Sequence, residues 1–217
     1  FSPLYVMDVA PPFASNMIFD AAFKTGADYG SMGTWSVPME DPAYGLGIEN
    51  SYTEPMTKYN FDRHEAWKKQ GNMAVICMGI DPGVVNVFEK YAATELLDEI
   101  TEVHVKDGGN LSVPGADPDD IMFGFNVWTV LDEVMNPNVE YDKEKGGFIV
   151  EKAFAGQEVY EMPEGVGKNT LVKVEHEEVV TMARYLSQYG LKKATFKISL
   201  DENLITALKV LDKLGLR

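Results

Sequence analysis

Positive charge is scarce in this sequence, cysteine nearly absent and long apolar runs missing, and each shortage excludes something. Only 19 Lys and Arg stand against 34 Asp and Glu in 217 residues, a formal net charge of −15. No basic stripe offsets that field, which repels a phosphate backbone and argues against a nucleic-acid partner. The single cysteine, Cys77, excludes an internal disulfide framework and fits a reducing compartment. Set inside the apolar run "MAVIC", it reads as a buried, inert thiol rather than a nucleophile. No apolar stretch approaches the roughly 18 residues of a membrane span, and the start lacks a basic-then-apolar signal pattern. A soluble, cytoplasmic protein is expected.

Several motifs are missing as well. "GVGKNT" at 165–170 has methionine where a phosphate loop needs its first glycine, and asparagine after the lysine. His176-Glu177-Glu178-Val179-Val180 begins like a zinc-protease helix but lacks the second histidine. His64, His104 and His176 are scattered along the chain, so each is expected as an ordinary surface or edge histidine. No nucleophile elbow, paired-cysteine ligand set or G-x-G-x-x-G fingerprint is present.

What is there is an apolar core composition, 45% hydrophobic with 11% aromatic residues, and an alternating order of elements. "LYVMDVA" reads as a buried strand stopped by Pro11-Pro12, and Asn16 as the cap of a helix over "MIFDAAFKTG". A turn-rich excursion follows over 30–57. "NFDRHEAWKKQG" then places Phe61, His64, Trp67 and Lys68 on one helical face. "NMAVICMG" has the continuous apolarity of a strand buried on both faces, and "VVNVFEKYAATELLDEI" and "ITEVHVKD" follow as helix and strand. This predicts an α/β fold. Beyond Gly108, "FGFNV", "GGFIVEKAF", "QEVYEM" and "TLVKVE" read as short strands of a mixed, largely antiparallel sheet. The strand "KATFKISL" then separates the helices "EEVVTMARYLSQYG" and "ENLITALKVLDKLGL".

In open α/β sheets ligands bind beyond the carboxyl ends of strands. Two loops are expected there, Ala10-Pro11-Pro12-Phe13 and Gly79-Ile80-Asp81-Pro82-Gly83. Glycine lets backbone approach a ligand, proline stiffens the loop, and the helix from Val84 would offer free N–H groups. Asp81 either pairs with a substrate ammonium or merely caps that helix, and the residues leave both open.

"GIDPGVVNVFEKYA…LLDEITEVHVKDGGNL" resembles the saccharopine dehydrogenase family, with its carboxynorspermidine and lysine dehydrogenase relatives. The similarity continues through "GFNVWTVLDEVMNP", "EVYEMPEGVG", "VEHEEVVTM" and "ENLITALKVLDKLGL". It implies that residues 1–75 are the trailing part of a Rossmann dinucleotide domain. Residues 76–217 would then be an α+β substrate-binding and dimerisation domain. The chain opens directly on a strand without the fingerprint half, and is expected to be an internal portion of a longer protein. The resemblance implies an NAD- or NADP-dependent oxidoreductase acting on the C–N bond of an amino-acid-derived imine or secondary amine, working as a homodimer. By the same resemblance Pro12, Phe13 and Ser31 would border the cofactor. Phe13, Asp81, Gly83, Gly108 and Gly109 would line the substrate cleft, with Asp81 catalytic. One departure stands out: saccharopine-forming relatives carry an arginine after the tryptophan of "NVWTVL", where this chain has Leu131. A carboxynorspermidine-like or other amino substrate is therefore favoured over saccharopine. The alternative of another class is a non-catalytic assembly module that pairs through "FGFNVW" and "TFKISL".

Overall fold

The computed structural model describes residues 5–8, 12–33, 57–110, 112–117 and 119–216. It contains two sheets among these residues. The first is parallel and three-stranded, in the order β1 (Tyr5–Asp8), β2 (Asp28–Ser31), β3 (Ala74–Val75). Helix α1 (Pro12–Thr25) crosses from β1 to β2. Proline suits a first helical turn, where its missing N–H has no partner to lose. The predicted start at Asn16 is therefore too late: Asn16 lies inside the helix and is buried. Phe19 and Ala22 of α1 pack against Tyr29, Tyr59 and Trp67, with Phe19 edge-on to Tyr29 at 5.2 Å.

The expected single helix over 60–71 is two short ones, α2 (Lys58–Phe61) and α3 (His64–Gln70). Trp67 is buried while His64 stays exposed, so the two do not share one packed face. Gly71, at φ 81, ends α3 by donating to the Trp67 and Lys68 carbonyls. The strand expected to be buried on both faces is instead a two-residue edge strand. Its Ala74–Val75 pair only with β2 among the described residues, and Met73, Val75 and Met78 remain exposed.

Beyond it lie α4 (Val84–Tyr91), continued by a π-helical turn over Ala92–Leu96, and β4 (Glu102–Asp107). "FGFNV" forms no strand. The Asn126 side chain accepts from the Thr129 N–H at 3.2 Å, and α5 (Val127–Met135) starts there. A local capping bond thus overrides the β-like composition.

The second sheet is mixed. Its strands β5 (Asn138–Asp142), β6 (Gly147–Glu151), β7 (Glu158–Met162), β8 (Gly167–Lys173) and β9 (Lys193–Ser199) run in the order β6-β5-β9-β8-β7. Strand β4 pairs in parallel with all of Lys193–Ile198 on β9. Strands β5 and β8 pair antiparallel with the start and end of β9 respectively. Helices α6 (Glu177–Leu186) and α7 (Glu202–Lys213) close the core. Val179, Met182 and Leu186 of α6 meet Leu204, Ile205 and Leu208 of α7 over Val172, Ala194 and Phe196. Because Phe196 lies inside this core, "TFKISL" is not an available pairing face.

Truncating the buried Phe196 to Ala should cost roughly 3–5 kcal/mol of unfolding free energy. Phe148, 45% exposed on β6, should tolerate the same change for about 1 kcal/mol or less. Urea denaturation of the two variants measures the contrast.

Candidate functional site

The D-P-G loop is shaped by its own backbone. Gly79 N–H donates to the Pro82 carbonyl at 2.6 Å, and Gly79 and Gly83 form a parallel bridge. Val84 and Val85 N–H donate back to the Gly79 and Ile80 carbonyls, both at 3.0 Å. Those N–H groups were expected free for a ligand; the loop consumes them. The helix N-cap is Gly83, whose N–H donates to Asn86 Oδ1 at 3.1 Å. Gly83 sits at φ 142, and a Cβ there would overlap the Gly79 backbone. Its glycine is accounted for by this closure.

With the N-cap position taken by Gly83, Asp81 is left in the turn, half-buried. Its carboxyl pKa is raised to about 6, first by burial and then by Asp107, with His176 opposing. Asp107 ends β4 and is raised mainly by burial, while the Gly108 N–H bonded to it pulls the other way. Three further ionisable residues follow β8. His176 is extended, at φ −153 and ψ 149, and Glu177 and Glu178 begin α6. All three are buried. His176 Nδ1 bonds Glu178 Oε2 and lies 3.4 Å from Glu177 Oε2. Its ring stacks on Phe196 with centroids 3.8 Å apart and planes at 10°.

Burial alone would lower the His176 pKa, but Glu178, Glu177 and Glu133 outweigh it and raise it to about 10. Glu133 on α5 keeps some exposed surface yet is densely enclosed. Burial, then Glu177, Asp81 and Glu178 against the opposing His176, raise it to about 8. Cys77 is pushed up by burial and by the same two glutamates, in keeping with the inert thiol expected. No Lys or Arg acts on any of these groups in the described residues.

The first sheet reaches the same place. Ser31, ending β2, is buried; its carbonyl accepts from Met78 N–H at 3.0 Å, and its hydroxyl bonds the Gly33 carbonyl. A Cβ on Gly33 would sit 2.9 Å from Glu177 Oε1. The ends of β2, β4 and β8 and the D-P-G loop therefore converge on one cluster of acidic side chains.

Of the expected site residues, Asp81, Gly83 and Ser31 lie at this convergence. Gly108 lies close to Asn169 and Ser199 at the β8 and β9 ends, and Gly109 faces open space. Pro12 and Phe13 are the first residues of α1; their side chains lie outside the described residues, as does the turn-rich segment over 34–56. The expectation that His176 is a surface or edge histidine is overturned by its burial. Asp107 and Glu133 were not singled out by sequence, and Glu177 and Glu178 were named only within the rejected zinc-protease pattern. The usable signal was four consecutive ionisable residues, Glu175 to Glu178, inside "VKVEHEEVVTM", and two acids inside "TVLDEVM".

No family model matches this chain. It is 31% identical over 105 residues to carboxynorspermidine synthase of Vibrio cholerae serotype O1, and 29% over 105 residues to that of Vibrio alginolyticus. Each match covers 48% of this chain and 23% of the relative, so the chain spans about a quarter of those proteins. In fold it is similar to saccharopine dehydrogenase (L-Glu forming) from Saccharomyces cerevisiae, with TM-score 0.58 at 13% identity, over 98% of this chain and 44% of that one. The architecture is thus α/β, shared with that enzyme's fold. The sequence matches and the structural likeness both agree with the resemblance to the saccharopine dehydrogenase family read from the sequence. No described helix is long and apolar enough to cross a membrane.

Two measurements follow from the geometry. The raised groups, Asp81, Glu133 and His176, bind protons more tightly folded than unfolded, so their stabilisation is present at low pH and is lost as pH rises through about 6, 8 and 10. Glu158, lowered by hydrogen bonds from Lys197 and Lys106, acts oppositely, and its contribution fades in acid. The melting temperature should therefore peak near pH 5 and fall toward pH 9. Glu133→Gln should flatten that fall, because it removes one proton held against Glu177, Asp81 and Glu178. Separately, Gly83→Ala should cost about 2–4 kcal/mol of stability and Gly109→Ala about 0.5 or less, read by chemical denaturation.

Proposed function

We propose that the chain is part of an NAD(P)-dependent oxidoreductase that acts on a C–N bond of an amino-acid- or polyamine-derived substrate. Residues 1–75 are read as the trailing part of a dinucleotide domain and residues 76–217 as the substrate-binding and dimerisation domain. The observation that carries the reading is the acidic cluster at the strand ends, where Asp107 acts on Asp81 and no described Lys or Arg acts on either. Such a cluster suits a cationic amine and repels a carboxylate. The carboxynorspermidine synthase matches support a substrate of that kind.

Ser31 and the first turn of α1 at Pro12 and Phe13 are the residues read as bordering the cofactor's reactive end. Buried Ser31 and the close approach at Gly33 leave backbone and hydroxyl groups at that strand end, which fits a neutral ring better than a phosphate. The glycine cradle for the diphosphate is absent from this sequence. When bound, the cofactor supplies or accepts the hydride at the C–N carbon. Asp81 orients the substrate nitrogen by accepting its hydrogen bonds. With a carboxyl pKa near 6, it also exchanges a proton with that nitrogen close to neutral pH. Gly83 holds the loop so that the carboxylate stays in place, and Gly108 and Gly109 line the facing wall.

Exposed Phe125 and Trp128, 71% and 68% accessible beside α5, support homodimer assembly of this second part.

In the full-length protein Asp81→Asn should lower kcat/KM by about 10²–10⁴, leave nicotinamide cofactor affinity unchanged, and remove the pH dependence near 6. Unchanged turnover would take Asp81 out of the site.

A further inference from the structure

We propose that His176, Glu177 and Glu178 form a binding site for one divalent transition-metal ion of the zinc class. The site neighbours the amine-binding cluster but does not rest on the assignment of that cluster.

One ligand atom from each residue lies within 4.8 Å of the other two, and all three residues are buried. Nitrogen and oxygen ligands at ~2.0–2.2 Å from a tetrahedral centre sit roughly 3.4 Å apart, so side-chain adjustments of about 1 Å complete the geometry. Backbone geometry makes the trio compact. His176 is extended just before α6, and Glu177 and Glu178 open the helix, so three consecutive side chains turn toward the same interior.

A second, independent observation comes from Glu178. Its side chain has no exposed surface. One carboxylate oxygen bonds His176, while the other, Oε1, is buried with no hydrogen-bond partner among the described residues. An orphaned charged oxygen in a protein interior is costly and uncommon. It belongs to the same carboxylate that touches the imidazole. A metal ion there gives the orphan its missing partner.

The space fits an ion better than a chain-bearing ammonium. The Phe196 ring closes one side of His176 at 3.8 Å between centroids. On the other flank Gly33 runs so close that even a Cβ would come to 2.9 Å from Glu177 Oε1. Imidazole with two carboxylates is a borderline donor set that suits zinc or manganese over calcium.

The test uses full-length protein stripped with a chelator and dialysed against zinc chloride. Wild type should take up one more equivalent of zinc than His176→Gln, with an affinity difference above about tenfold. His104→Gln, which alters an exposed histidine paired with Glu102, should match wild type. Equal uptake by wild type and His176→Gln overturns the site. If His176→Gln does not fold, cobalt(II) substitution of wild type and Glu177→Gln decides. Nitrogen–oxygen d–d absorption in wild type that weakens in the variant supports the site, and its absence in wild type refutes it. Stoichiometric displacement of zinc by norspermidine would also overturn the proposal, by showing that the trio holds an ammonium.

Discussion

Glu178 is a carboxylate with no access to water, and its partner is an imidazole rather than a lysine or arginine. Taking such a charge out of water costs several kcal/mol even after relaxation, and removing its partner would strand it. The interior answers by keeping protons. His176 holds one up to about pH 10, because Glu178, Glu177 and Glu133 outweigh its burial, and Glu133 holds one up to about 8, through its burial and then Glu177, Asp81 and Glu178. Charge here is balanced by exchangeable protons instead of fixed cations. A region balanced in that way responds to any cation that enters it, which is why the acidic residues carry the functional argument and the fold serves to hold them.

The convergence depends on backbone features that tolerate little change. Strand β2 ends in Ser31, whose carbonyl takes the Met78 N–H and so joins the first sheet to the D-P-G loop. Asn86 then joins that loop to α6, donating to Thr181 Oγ1 at 3.1 Å and to Glu89 at 3.1 Å while accepting from Gly83. Thr181 also bonds the Glu177 carbonyl one turn back, at 3.2 Å. A continuous hydrogen-bonded path therefore runs from the loop bearing Asp81 to the helix bearing Glu177 and Glu178.

Much of this was legible beforehand. The alternating order of elements, the D-P-G turn after an apolar run and the closing strand between two helices all follow from residue periodicity and punctuation. What failed did so for identifiable reasons. "FGFNV" has strand composition, but one Asn126 side chain caps a helix that periodicity alone could not start. "NMAVICMG" is apolar enough for a central strand, yet it lies at an edge, because pairing depends on neighbours far away in sequence. His176 was the largest miss. A histidine among glutamates reads as surface polarity unless one knows that β8 delivers it under Phe196.

The same charge distribution also limits where an acidic substrate group can go. Leu131, standing where saccharopine-forming relatives are expected to carry an arginine, packs against the apolar core of the second sheet and offers no donor. Asp81 and Asp107 mark the acidic cluster at the strand ends, with no Lys or Arg acting on them among the described residues. A substrate carboxylate placed there would meet like charges in a poorly solvated space, at a cost of several kcal/mol. An amino nitrogen in the same place gains what the carboxylate loses.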